Sequence, residues 1–168
     1  KYDRNNDNNN TNLSLDVLDE SKWTGFESLD EVEEFGRNYY HGVLNAITNN
    51  EIFNINSTFP NKYLDTNVSI TVNGVTTNGL LDWIKYHNSG MNHIKQCYMA
   101  DFHILSWIPY SFAAKYTISV IFSNEQKCVN HGTVSMIMSK KDKKIMTAVS
   151  TSDNSSYLNM IQSMPRPK

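Results

Sequence analysis

Five side chains of this 168-residue chain have types and spacing that point to chemistry: Tyr40, His93, Asp101, His103 and His131. An imidazole titrates close enough to neutrality to act as general acid or base, and His93 opens a long stretch of alternating residues. A histidine at a strand start also bonds simply to backbone, so both readings stand. Tyr40 sits beside an apolar helical stripe, where its hydroxyl is a pocket donor or the wet rim of a core ring. Asp101 and His103, two apart on one strand, share a face. They read as an acid–base or metal pair, or as a locally bonded surface pair. His131 falls on a polar strand face, at the surface or at a dimer contact. No third metal ligand stands at a usable spacing, and HExxH and CxxC are absent. There is no GxSxG for a serine nucleophile and no GxxxxGK[ST] or GxGxxG for phosphate, so no cofactor is expected. The basic run Lys140–Lys144 reads as a solvated turn.

These residues need elements to hold them. Ser28-x-x-Glu31 is a capping box, and Leu29, Val32, Phe35, Tyr39, Val43 and Ile47 follow at helical steps, predicting a helix from Ser28 to about Thr48. Asn49-Asn50 breaks it, and a shorter helix is expected to hold Ile52, Phe53 and Ile55 and to end at Pro60. Residues 67–72 alternate and run into Asn73-Gly74, a strand entering a hairpin turn. Asn78 is positioned to cap a third helix with Leu80, Leu81, Trp83, Ile84 and His87, stopped by Gly90.

From His93 the period becomes two. Four strands are expected at about 93–107, 111–123, 127–139 and 143–151, with loops short enough for an antiparallel meander. Tyr116, Ile118, Val120 and Phe122 share one face, and Val134, Met136 and Met138 oppose His131, Thr133 and Ser135. One sheet face is therefore apolar and should pack on the helices. Cys97, Ile121 and residues near Cys128 fall in one cross-sheet row. Two strand spacings are roughly 9.5 Å, whereas a disulfide needs Cα atoms within about 7 Å, so free thiols are predicted.

The composition sets bounds. Fifteen Lys+Arg against 17 Asp+Glu give a net charge of −2, which disfavours nucleic acid as a partner. Mean hydropathy is −0.50, and no apolar run approaches the roughly 20 residues of a membrane span. Residues 1–25, Asn-rich at the start, read as a tail or linker, 26–157 as the folded domain, and 158–168 as a C-terminal tail. The chain starts at Lys1 rather than Met, so an upstream signal peptide, anchor or domain is expected. Free thiols favour the cytoplasm. The missing start and sequons at Asn9, Asn12, Asn56, Asn67 and Asn154 leave secretion open, although a chain with 22 Asn forms such strings by chance.

The element order over residues 26–153 resembles the nuclear-transport-factor-2-like superfamily, which includes SnoaL-like polyketide cyclases, ketosteroid isomerase and scytalone dehydratase. The resemblance implies an α+β cone, a curved antiparallel sheet wrapped around about three N-terminal helices. Tyr40-His-Gly-Val-Leu-Asn-Ala46 looks like the first helix of ketosteroid isomerases, which implies an oxyanion-donor role for Tyr40. Gly90-Met-Asn-His93-Ile94 is similar to a string of scytalone dehydratases and SnoaL-like proteins, implying a pocket-facing acid–base His93. The isomerase base falls on Ile70 or Thr71, its second acid near Val134, and the dehydratase's second histidine near Lys115 or Tyr116, so neither known site is complete. The leading expectation is a pocket for a small apolar or aromatic molecule, lined by Phe35, Tyr63, Trp83 and Tyr116, with dehydration, isomerisation or cyclisation as its chemistry. The alternative is a non-catalytic module, a homodimer or heterodimer through the exposed sheet face, as the soluble part of a larger assembly. An open cone would mark the first reading, and a cone filled by Met136 and Phe122 the second.

Overall fold

The computed structural model describes residues 23–90 and 93–153. Helix α1, Leu29–Thr48, starts where the sequence predicts. Glu31 donates its backbone N–H to Ser28 Oγ at 3.2 Å, and its carboxylate accepts from Glu27 N–H at 2.9 Å. Its buried side is Val32, Phe35, Gly36, Tyr39, Leu44 and Ala46, whereas Leu29 is exposed.

The second helix is displaced from its expected place. Ile52 and Ile55 are exposed in a loop, and Phe53 alone is buried. The Asn88 side chain satisfies both backbone groups of Phe53, accepting from its N–H at 3.1 Å and donating to its carbonyl at 2.9 Å, so no helical turn is needed there. Helix α2 is Thr58–Tyr63, and Pro60 lies in its first turn, where a missing N–H costs little, rather than ending a helix.

Strands β1, Leu64–Val72, and β2, Val75–Asn78, form a hairpin. Positive φ at Asn73 (48°) and Gly74 (83°) makes the turn that Asn-Gly favours. Asn78 does not cap α3, Leu80–Ser89. It ends β2, accepting from Ser69 Oγ at 3.2 Å, and Gly79 takes the N-cap place at φ 88°. Gly90 follows the last turn as expected.

The meander is β3 Ile94–Ile108, β4 Ser111–Phe122, β5 Lys127–Met138 and β6 Ile145–Ser152. The sheet order is β2-β1-β6-β5-β4-β3. All pairs are antiparallel except β1 with β6, so the sheet is mixed rather than wholly antiparallel, and curved and open. Three register shifts interrupt β3 against β4, at Ile94/Gln96, Met99/Asp101 and Ile104/Ser106, and such bulges bend a sheet. The first explains why the cysteine row runs through Val120, partner of both Cys97 and Cys128, rather than Ile121. Both thiols are buried, and Cys97 Sγ points to the Leu44 carbonyl at 3.3 Å.

Helix α1 lies on the concave side against β3. Gly36 passes so close to the Phe102 ring that a Cβ would overlap it. Arg37 Nη2 donates to the Phe102 carbonyl at 2.7 Å, while Thr48 Oγ1 donates to the Cys97 carbonyl and accepts from its N–H, both at 3.0 Å. Aromatic rings fill one end of the cone, with Phe26, Phe35, Phe112 and Tyr63 in edge or tilted contact. Residues 1–22 of the expected tail lie outside the described residues, as do 154–168. Trp23 meets Phe26 and Tyr110, and Phe26 N–H bonds the Pro109 carbonyl at 2.7 Å, so the chain is already packed on the domain before residue 26. No helix among the described residues is long and apolar enough to cross a membrane.

Candidate functional site

At the end of the cone away from that aromatic plug lies a cavity of about 320 Å³, within the usual size range of small-molecule pockets. Helix α1 contributes Tyr39, Tyr40, Val43 and Ile47, and α3 contributes Trp83, Tyr86 and His87. The sheet supplies Ile70 and Val72, then Tyr116, Ile118 and Val120, then Asn130, Val134 and Met136, then Ala148, Ser150 and Ser152. Met136 forms wall and Phe122 belongs to a separate buried cluster with Leu44, Cys97, Val120 and Cys128, so neither fills the cone.

Alternation explains the sheet residues, since β4 and β5 turn every second side chain inward. Tyr116 is opposite Gly132 on β5. A Cβ at 132 would overlap the end of the tyrosine ring. The glycine therefore lets the ring lie across β5, so that its hydroxyl meets Ser150 Oγ on β6 at 2.7 Å. Tyr40 stacks at a tilt on Tyr116, ring centroids 5.2 Å apart. Burial raises the Tyr40 hydroxyl well above its ordinary value, and Tyr116 and Tyr39 push the same way. Burial also raises Tyr39, against the pull of a hydrogen bond with Trp83. Both remain protonated donors across the working pH range.

His87 is the group that sequence reasoning left inside an apolar helical stripe. It is only 6% exposed and stacks on Phe53 at 4.6 Å and on Trp83 at 5.3 Å. Burial lowers its pKa, partly countered by a hydrogen bond to the backbone of Glu51. Nε2 is buried with no partner. The Glu51 bond therefore falls to Nδ1–H, and burial favours the neutral imidazole. Asn130 is the second residue missed. Its inward parity with Cys128 and Val134 was visible in the alternation, and a polar residue on an apolar face was the available signal. Its Oδ1 is also buried without a partner.

The other expected site residues are dispersed. Tyr40, Trp83 and Tyr116 do line the cavity, but His93 does not. It is half-buried at the entry to β3, and its carbonyl accepts from Ser123 N–H at 3.0 Å. Phe35 and Tyr63 line a different recess, with Glu31, Asn38 and Lys143. Asp101 and His103 pair at 2.8 Å on the outer face, each half-exposed. His131 bonds Thr117 there at 3.1 Å. No cluster of potential metal ligands occurs among the described residues. Lys143 is not simply solvated. It donates to Glu31 at 2.6 Å and lies over Phe26 and Phe35. Ile70 and Val134, at the places of the isomerase acids, are apolar wall, and no carboxylate from the described residues lines the cavity.

No protein-family model matches the chain, and no curated protein does. Solved structures do match it. An NTF2-like protein of unknown function from Burkholderia pseudomallei is 14% identical with a TM-score of 0.60, over 77% of this chain and 96% of that one. A protein from Shewanella denitrificans, provisionally named a SnoaL-like polyketide cyclase, is 12% identical with a TM-score of 0.58, over 79% and 98%. A protein from Bacillus subtilis, provisionally named an isomerase, is 7% identical with a TM-score of 0.57, over 78% and 95%. At such identities the likeness is one of fold.

Proposed function

From a chain with the nuclear-transport-factor-2-like cone fold, we propose a protein that binds a small apolar or aromatic molecule in its cavity and performs cofactor-independent proton-transfer chemistry on it. The observation that carries the reading is the wall itself, apolar on most sides, with His87, Tyr39 and Tyr40 among the residues that line it and both tyrosines held protonated by burial. Tyr40 donates to a carbonyl oxygen of the ligand and so stabilises the developing enolate. His87, which lines the cavity, rather than His93, which does not, takes the proton from the adjacent carbon. Return of that proton to another carbon gives isomerisation, its delivery to a departing β-hydroxyl gives dehydration with loss of water, and attack of the carbanion on a second carbonyl carbon of the ligand, whose oxygen then takes the proton, gives cyclisation.

Native mass spectrometry of the purified chain, before and after denaturation, tests the binding half. A small molecule released on denaturation supports it. A chain that carries none and binds no member of a panel of aromatic ketones refutes it. For the catalytic half, Tyr40→Phe and His87→Phe should each lower turnover of an identified substrate at least about a hundredfold, and full activity in both would remove the assignment. A second reading, a homodimer through the outer sheet face, is supported by exposed Val129, Ile137 and Val149 on β5 and β6. Sedimentation of the wild type against Ile137→Lys decides it, with a monomeric wild type refuting the dimer.

A further inference from the structure

The basic run between β5 and β6 is only half absorbed by ion pairs. Lys143 bonds Glu31 at 2.6 Å and Lys144 meets Asp142 at 3.9 Å, whereas Lys140 and Lys141 are exposed and enter no ion pair among the described residues. The sheet sets this loop beside the turn from β3 to β4. Met138 donates its backbone N–H to the Tyr110 carbonyl at 2.8 Å, and Lys140 Nζ lies over the Tyr110 ring, 5.8 Å from its centroid. The turn is apolar and bare. Ile108 is 63% exposed and Leu105 57%, and Pro109 is exposed between Ile108 and the half-buried Tyr110. Trp23, also half-buried, meets Tyr110 edge to face at 5.5 Å. Bare aliphatic side chains, amphipathic rings and unpaired lysines therefore share one corner of the sheet, at the closed end of the cone.

We propose that this corner docks the protein peripherally on an anionic lipid surface. Charge and apolar area decide it together. Anionic headgroups attract Lys140 and Lys141, and the acyl boundary beneath them takes Ile108 and Leu105 out of water. Tryptophan and tyrosine favour the level between the two, and a lysine beside a ring buries its stem while its ammonium stays at the surface. An acidic peptide or a nucleic acid would satisfy the lysines and leave the aliphatic side chains in water. A wholly apolar partner would strip the ammonium groups of hydration without compensation. The acids of the same end, Glu27, Asp30, Glu31, Glu33 and Glu34, belong to α1 and its lead-in, in the helical layer rather than the sheet, and Glu31 and Glu33 are already paired with Lys143 and Arg37. The cavity lies at the other end of the cone, so a docked molecule keeps it open to water.

Co-sedimentation of the full chain with vesicles tests this, using phosphatidylcholine alone and phosphatidylcholine with about one third phosphatidylserine. The wild type should bind the mixed vesicles about tenfold or more tightly, and the preference should fade as salt rises from about 0.1 M to about 0.5 M. Lys140→Glu with Lys141→Glu should lower binding to the mixed vesicles about tenfold or more. Ile108→Ser should lower it about threefold or more and keep the salt dependence. Thermal melting checks that each variant is folded. No binding to either vesicle would overturn the proposal, and equal binding to both would overturn the part assigned to charge. Full binding by the folded double lysine variant would overturn the assignment to this corner. A wild type that ignores vesicles but sediments as a dimer, which Ile108→Ser dissociates, would give the corner to a second copy instead.

Discussion

Gly132→Ala isolates the geometry on which the sheet side of the cavity depends. Its Cβ would fall on the end of the Tyr116 ring, the part that reaches over β5 to Ser150. The ring must swing inward, which breaks the hydroxyl pair at a cost of about 1 kcal/mol. It also leaves its rotamer well, at about 1 kcal/mol more. Replacing a strand glycine returns about 0.5–1 kcal/mol of backbone entropy. The net is a loss of about 1 kcal/mol, roughly 4 °C in Tm for a domain of this size. Urea unfolding followed by circular dichroism reads it. Tyr116→Phe should cost about 1–1.5 kcal/mol by itself, because the Ser150 hydroxyl is left buried. In that background Gly132→Ala has no hydroxyl pair left to break, so the two changes should fall short of additivity by about 1 kcal/mol. A Gly132→Ala variant as stable as the wild type, or a cycle additive to within about 0.3 kcal/mol, would refute the crossing of β5 by Tyr116.

Burial raises both thiols above their ordinary values. A thiol reagent at pH 8 should therefore modify neither Cys97 nor Cys128 in the native protein and both in denaturant, and rapid native labelling would contradict this. The folded pKa of His87 lies below its unfolded value, so the unfolded chain binds the extra proton first and stability should fall as pH drops from about 6.5 toward 5. His87→Phe should flatten that part of the curve in urea titrations, and an unchanged slope would count against it. Burial pushes the Glu31 carboxyl up, but the Lys143 hydrogen bond and charge, with the Glu27 N–H, outweigh it and hold the group below its ordinary value. Lys143→Ala should cost about 1 kcal/mol near neutral pH and less in acid, as pH falls below the ordinary glutamate range and Glu31 takes up its proton. A cost that does not change with pH would assign the effect to packing alone.

The meander was legible because four consecutive segments keep a period of two and one face carries most of the large apolar residues, although Val129, Ile137 and Val149 stay exposed on the other. Asn73-Gly74 was legible because few residue pairs accept two positive φ values in succession. Two features failed for physical reasons. Ile52, Phe53 and Ile55 read as helix, but a single asparagine from α3 satisfies Phe53, a tertiary contact that no local pattern encodes. The parallel pairing of β1 with β6 joins residues more than seventy positions apart, beyond any periodicity. In the site, Tyr40, Trp83 and Tyr116 were found through size and parity. His87 was hidden because an imidazole on a helical stripe looks like filler until its ring stacking and its orphaned nitrogen are seen. His93 drew attention by its resemblance to a family string, and the structure leaves it beside the cavity rather than in its wall.

The long β3 ends the sheet on one side, and the four-residue β2 ends it on the other. A fifteen-residue open strand is the kind of surface on which a second chain can add itself, one hydrogen-bonded rung after another. Here some of the rungs are already taken. Thr48 occupies the outward amide and carbonyl of Cys97, Arg37 occupies the carbonyl of Phe102, and three bulges break the spacing that an incoming strand would have to match. Contacts that dock α1 onto the sheet thus also guard the protein against strand-by-strand self-association, and loosening that helix would expose a template for aggregation before it emptied the core.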